Sequence, residues 1–110
     1  MNDRELLELA AKAAGLTIVG SIPSILHDDD WLETTDNGPD MFWNPLQNDG
    51  DALRLAVKLG IVIDTGDGVH VQYVIDCIAW PISEWDFTDI YAATRRAIVR
   101  AAAEIGRNMK

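Results

Sequence analysis

Asp64 closes the apolar run Ile61-Val62-Ile63 and is followed by Thr65-Gly66, a setting in which a carboxylate can do acid–base work. Two copies of such a residue, brought together across a dimer axis, would share one proton, because like charges about 3 Å apart cannot both ionise, and the pair would activate water. The same residues also make a good turn, since Asp64-Thr65-Gly66-Asp67-Gly68 is built from types that tolerate turn backbones. His27-Asp28-Asp29-Asp30 offers imidazole and oxygen ligands for a hard divalent cation. Nothing fixes a coordination geometry there, and a calcium loop opening at Asp64 would need Glu where Ile75 stands, so a solvated acidic loop accounts for the run. His70 alternates with Val69 and Val71, as an exposed or hydrogen-bonded strand histidine does. Cys77 falls with the apolar face as a small core residue. No glycine-rich phosphate loop, Gly-x-Ser-x-Gly elbow or His-Glu-x-x-His helix occurs, and the sequence calls for no catalytic residue, cofactor or metal.

Recognition chemistry has more to work with. Trp31, Trp43, Trp80 and Trp85 all fall in or beside predicted loops and strand ends. A tryptophan ring removes much apolar area from water while keeping a usable N–H, which suits it to binding hot spots as well as to core edges. Asp28, Asp29, Asp30, Trp31 and Trp43 therefore form the candidate partner-binding set: carboxylates to occupy basic sites on a partner, and rings to supply the desolvated anchor. Arg95, Arg96 and Arg100 in the last helix are the alternative, an anion or nucleic-acid site. Arg96, Arg100 and Arg107 share a face with Glu104, which a solvated, partly salt-bridged surface also explains.

The charge decides against the second of these as a general role. Nine Lys and Arg face 18 Asp and Glu, a formal net charge of −9, the wrong sign for gripping phosphates. Between Lys12 and Arg54 no basic residue occurs, while Asp28, Asp29, Asp30, Glu33, Asp36, Asp40, Asp49 and Asp51 all do. The 110 residues, 48% hydrophobic, suit one domain with one core. A single cysteine excludes an intrachain disulfide and suits a reducing cytoplasm. No run approaches the roughly 18 apolar residues of a membrane span, and the opening Met1-Asn2-Asp3-Arg4 is not a basic leader, so neither insertion nor secretion is expected.

These residues must be positioned by a small set of elements. Asn2 with Glu5 makes a capping-box-like start and Gly15 a stop, predicting a helix over 3–14 with Leu6, Leu9, Ala10 and Ala13 as its stripe. Leu16 to Val19 suits a short strand soon punctuated by Gly20, Ser21 and Pro23. Asn37-Gly38 predicts a tight turn between two short strands. Asn48 and Gly60 bound a second helix over 49–59, whose stripe reads Ala52, Leu53, Ala56 and Val57. Ile61 to Ile63 then pairs, through Gly66-Asp67-Gly68, with a long strand from Val69 to Ala79 that Pro81 closes. The last helix starts near Thr88 and points Tyr91, Thr94, Ile98, Ala101, Ala102 and Ile105 inward until Gly106.

Three segments carry a resemblance: Trp43-Asn44-Pro45-Leu46, Asp49-Gly50-Asp51-Ala52-Leu53-Arg54-Leu55-Ala56-Val57, and Tyr91-Ala92-Ala93-Thr94-Arg95-Arg96-Ala97-Ile98-Val99-Arg100-Ala101-Ala102. With the Asp3-Arg4-Glu5-Leu6-Leu7 helix they look like small bacteriophage and prophage proteins of the phage ABA sandwich domain type, the segment from Thr17 to Asp40 departing most. The resemblance implies an α/β/α-type sandwich and an accessory gene expressed in a bacterial cytoplasm, of the kind whose products bind and block host defence or nucleic-acid-handling factors. It carries no catalytic residue. Separately, Ile61 to Gly66 matches the signature of aspartic proteases, and Ile105-Gly106-Arg107-Asn108 resembles a segment near the end of the retroviral enzymes. Those enzymes are nearly all β with flaps after the aspartate, and here one hairpin and one long helix use up that chain.

The expectation is thus an α+β domain, three helices on a small, mainly antiparallel sheet, acting by protein binding on a host protein, with a homodimer left open. A dimeric hydrolase using Asp64 and an anion-binding module on the last helix are the alternatives.

Overall fold

The computed structural model describes residues 2–23, 30–34, 42–84 and 88–109. Among them are three helices, α1 (Asp3–Ala14), α2 (Asp49–Leu59) and α3 (Ile90–Arg107), and six strands, β1 (Ile18–Pro23), β2 (Asp30–Thr34), β3 (Phe42–Trp43), β4 (Val62–Asp64), β5 (Val69–Ile75) and β6 (Ile78–Glu84). The strands make two antiparallel sheets, in the orders β1-β2-β3 and β4-β5-β6. The fold is α+β, with three helices and antiparallel strands as the sequence predicts.

Helix boundaries follow local capping chemistry. The Asn2 side chain accepts from the Glu5 N–H at 2.8 Å and Asn48 from the Asp51 N–H at 2.9 Å, each satisfying a donor that the first turn leaves unpaired. Gly15 and Gly60 then turn left-handed, at φ 73° and 68°, and return their N–H groups to carbonyls of the last turn. Asp89 caps α3 by accepting from both Tyr91 and Ala92. That helix starts one residue beyond its cap and runs through Gly106 rather than stopping there.

The faces of the helices differ from the sequence reading. α1 buries Leu7, Ala10, Ala11 and Ala14, with Leu6, Leu9 and Ala13 only half-buried. α2 buries Ala52, Leu55 and Ala56 and leaves Leu53 and Val57 in water. α3 buries Ala93, Ala97, Ile98, Val99, Ala101, Ala102, Ala103 and Gly106, positions that run around most of its circumference, while Tyr91 is exposed. The reason is the place of α3. It packs on α1, on α2 and on β5 and β6, so no single stripe describes it. At Gly106 the backbones of α1 and α3 touch: a Cβ there would lie 2.9 Å from the carbonyl carbon of Leu9 and closer still to its oxygen.

The strands also correct several expectations. β1 runs on through Gly20 and Ser21 to Pro23, with a bulge between Ile18 and Gly20. β2 and β3 pair as two short strands, and the Asn37-Gly38 turn predicted between them lies outside the described residues. The long strand predicted over 69–79 is instead a hairpin. Asp76 and Cys77, at φ 53° and 65°, form a two-residue turn, and the chain returns as β6. Cys77 is accordingly exposed, not a core residue. Pro81 sits inside β6 rather than ending the sheet, because β6 is an edge strand and its proline nitrogen owes no bond to a further neighbour.

In the β4-β5-β6 sheet the pleat sorts side chains cleanly. Val69, Val71 and Tyr73 face the core, while His70, Gln72 and Val74 face away. Register carries this across to β4, where Ile63 opposes Val71, and Val62 and Asp64 oppose Gln72 and His70.

Candidate functional site

Of the predicted partner-binding set, Trp43 is the member whose side chain the structure describes. Asp28 and Asp29 lie outside the described residues, and Asp30 and Trp31 sit on β2 opposite Pro23 and Ile22. Trp43 is a correction: at 2% exposed its ring belongs to the core and is not offered to a partner. Its neighbours explain why. The Asn44 N–H donates to Asp51 Oδ2 at 3.0 Å, and the Leu46 N–H donates to Asn44 Oδ1 at 2.9 Å. Arg54 donates to Asp51 Oδ1 at 2.6 Å. Asn44 and Asp51 are both buried, so this network fixes the turn into α2 and draws Trp43 inward. The Trp-Asn-Pro segment and Asp51 are structural.

What the fold exposes instead is an apolar groove of about 410 Å³ between α2, the β4 edge and the first half of α3. Leu53, Ile63, Ile90, Tyr91 and Ile98 line it, with Ala52 on its wall. Leu53 is 59% exposed, Tyr91 71%, and Val57, one helical turn beyond Leu53, 73%. Asp49, Thr65, Thr94 and Arg95 supply the polar lining. Arg95 is held in place: its Nε donates to the Leu46 carbonyl at 2.9 Å and its Nη1 to Asp49 Oδ1 at 2.7 Å. The groove thus has one wall stapled from α3 to the start of α2. Sequence periodicity placed Leu53, Val57 and Tyr91 inside. Each has an alanine beside it, and a helix rich in alanine can turn either side to its neighbours, so no local signal distinguishes the faces.

The other candidates are spoken for by local partners. Asp64 is exposed on the hairpin and its Oδ1 accepts from the Gly66 N–H at 2.9 Å, the bond of a turn-forming aspartate. His70 Nδ1 and Ser83 Oγ share a hydrogen bond of 2.8 Å, and Asp67 lies 3.4 Å from His70 Nε2. This trio stands on the open outer face of the sheet. The arginines of α3 reach three different elements: Arg95 to Asp49, Arg96 to Asp3 at 3.1 Å, and Arg100 to Glu84 at 2.6 Å. Each is matched by a carboxylate, which removes the bare basic face that an anion site would need. Beside them, burial pushes the Tyr73 phenol above its ordinary range, Glu104 adds to the rise, and Arg107 opposes it. Among the described residues no three His, Cys, Asp or Glu side chains gather as a metal site. No described helix is long and apolar enough to cross a membrane.

The groove can bury apolar side chains, and the one carboxylate among its described lining residues, Asp49, is paired with Arg95. Compared with protein-family models, curated proteins and solved structures, the chain matches none.

Proposed function

We propose that this chain is a non-enzymatic accessory protein of phage or prophage type that acts in the bacterial cytoplasm by binding a host protein, and that the groove between α2, β4 and α3 is its recognition surface. One observation carries the reading: Leu53 and Tyr91 are each more than half exposed in a single concave surface, with exposed Val57 one helical turn beyond Leu53. Large apolar side chains gathered this way mark interaction sites, and a tyrosine at the rim supplies contact area at low entropic cost. The net charge of −9 supports a protein partner over nucleic acid. The exposed free thiol of Cys77 supports a reducing compartment.

The test is site-specific photo-cross-linking in a lysate of the bacterial host. A cross-linker at Leu53 should yield one discrete adduct that a cross-linker at exposed Glu8 on α1 does not, and Tyr91→Ser should abolish it. No adduct at Leu53, or the same adducts from both positions, overturns the reading.

A further inference from the structure

We propose that β4 receives an extended, basic segment of the partner as a fourth strand, with apolar side chains of that segment seated in the groove and a lysine or arginine beside Asp64. This rests on the groove being the docking surface.

The topology selects the strand. Among the described residues the β4-β5-β6 sheet has two edges, and they differ. β6 is seven residues long and holds Pro81, which removes a backbone donor from that edge. Proline on an edge is a common guard against further pairing. β4 carries no proline, and its Ile63 together with Thr65 just beyond it forms one side of the groove. A segment paired to β4 would extend the sheet over the gap that leaves Leu53 and Tyr91 in water.

The pleat then dictates the sequence of the incoming strand. Ile63 points to the core side, where its partner Val71 is buried, so the residue laid against it also points that way and enters the groove. Val62 and Asp64 point outward, so the residue beside Asp64 lies on the open face next to a carboxylate that makes one hydrogen bond to its own turn. Asp67 stands on the same hairpin, and opposite charges across a strand pair attract. The required pattern is apolar inward and basic outward. A chain of net charge −9 favours the same sign of partner at longer range and disfavours a second copy of itself.

The experiment titrates the intact protein with three fluorescent seven-residue peptides: alternating Lys-Val, alternating Glu-Val, and a Lys-Val peptide N-methylated at alternate residues. The Lys-Val peptide should bind at least about tenfold more tightly than either of the others. Asp64→Asn, which keeps an oxygen for the Gly66 N–H, should erase most of the preference for Lys over Glu, and Tyr91→Ser should weaken the Lys-Val peptide. Equal binding of the N-methylated peptide overturns strand pairing, and an unchanged charge preference in Asp64→Asn overturns the role of that carboxylate. Cross-linking at Leu53 that succeeds where the Lys-Val peptide fails overturns strand addition alone and leaves docking in the groove standing. Failure of both removes both.

Discussion

The two sides of α3 solve the packing problem in opposite ways. Against α1 it presents small residues, and the backbones close until Gly106 meets Leu9. Toward α2 and β4 its first turns present Ile90 and Tyr91 across a groove from Leu53, and those side chains stay in water. Close approach of small residues yields a dry contact that tolerates almost no added volume. Large side chains that stop short of one another leave a surface ready for something else. The amount of apolar character is thus a poor guide to which side is core.

Breaking what α3 buries should cost most, at Ile98 beneath the groove and at Gly106 against α1. Ile98→Ala, at a residue 3% exposed, is expected to lower stability by about 2–5 kcal/mol through lost burial and an incompletely collapsed cavity. Gly106→Ala adds only a methyl group, yet it must part α1 from α3, and a loss of about 1–3 kcal/mol is expected from overpacking. Chemical denaturation of both variants beside the parent checks the order. Asp51→Ala removes the acceptor of the buried Asn44 N–H and should cost roughly 1–3 kcal/mol, with Asp51→Asn recovering part of it because an oxygen remains. The exposed rim of the groove should behave otherwise. Leu53→Ser and Tyr91→Ser are expected to shift stability by no more than about 0.5 kcal/mol, the range for exposed sites, and a loss like that of Ile98→Ala would show the groove to be closed.

The smallest effect is confined to alkaline pH. The Tyr73 phenol is raised in the folded chain, so its contribution to stability is fully present below the unfolded value of about 10 and is lost as pH rises through the folded one. Tyr73→Phe should therefore flatten the fall of melting temperature above about pH 10, and an unchanged profile would place that phenol in water.

How much of this was legible follows from where each signal resides. Asn2, Gly15, Asn48 and Gly60 act within one turn of their own position, so the ends of α1 and α2 could be read from neighbours in sequence. The Asp76-Cys77 turn could not, because both residues adopt a left-handed conformation that Asn-Gly would have announced. Pro81 misled for a related reason: a proline forbids a central strand but not an edge strand, and being an edge is a property of the sheet. The groove was hidden most deeply. Leu53, Val57 and Tyr91 look like core by composition, and their exposure depends on how far β4 reaches over the helices. For Trp43 the error ran the other way, since a ring beside an acidic stretch reads as surface until Asn44 and Asp51 are seen to pair beneath it.

The central position of α3 also orders events in time. Its ion pair between Arg96 and Asp3 joins residues 93 positions apart, and Lys12 Nζ donates to the Met109 carbonyl across 97. As the chain leaves the ribosome, α1 lacks its main packing partner until α3 has been synthesised, and the β5-β6 hairpin meanwhile exposes Val69, Val71 and Tyr73. Loop closure over such distances precedes any reward in packing, so this topology folds late and slowly for its size. Nascent chains of this protein therefore hold apolar surface open during the interval in which α3 is still being made.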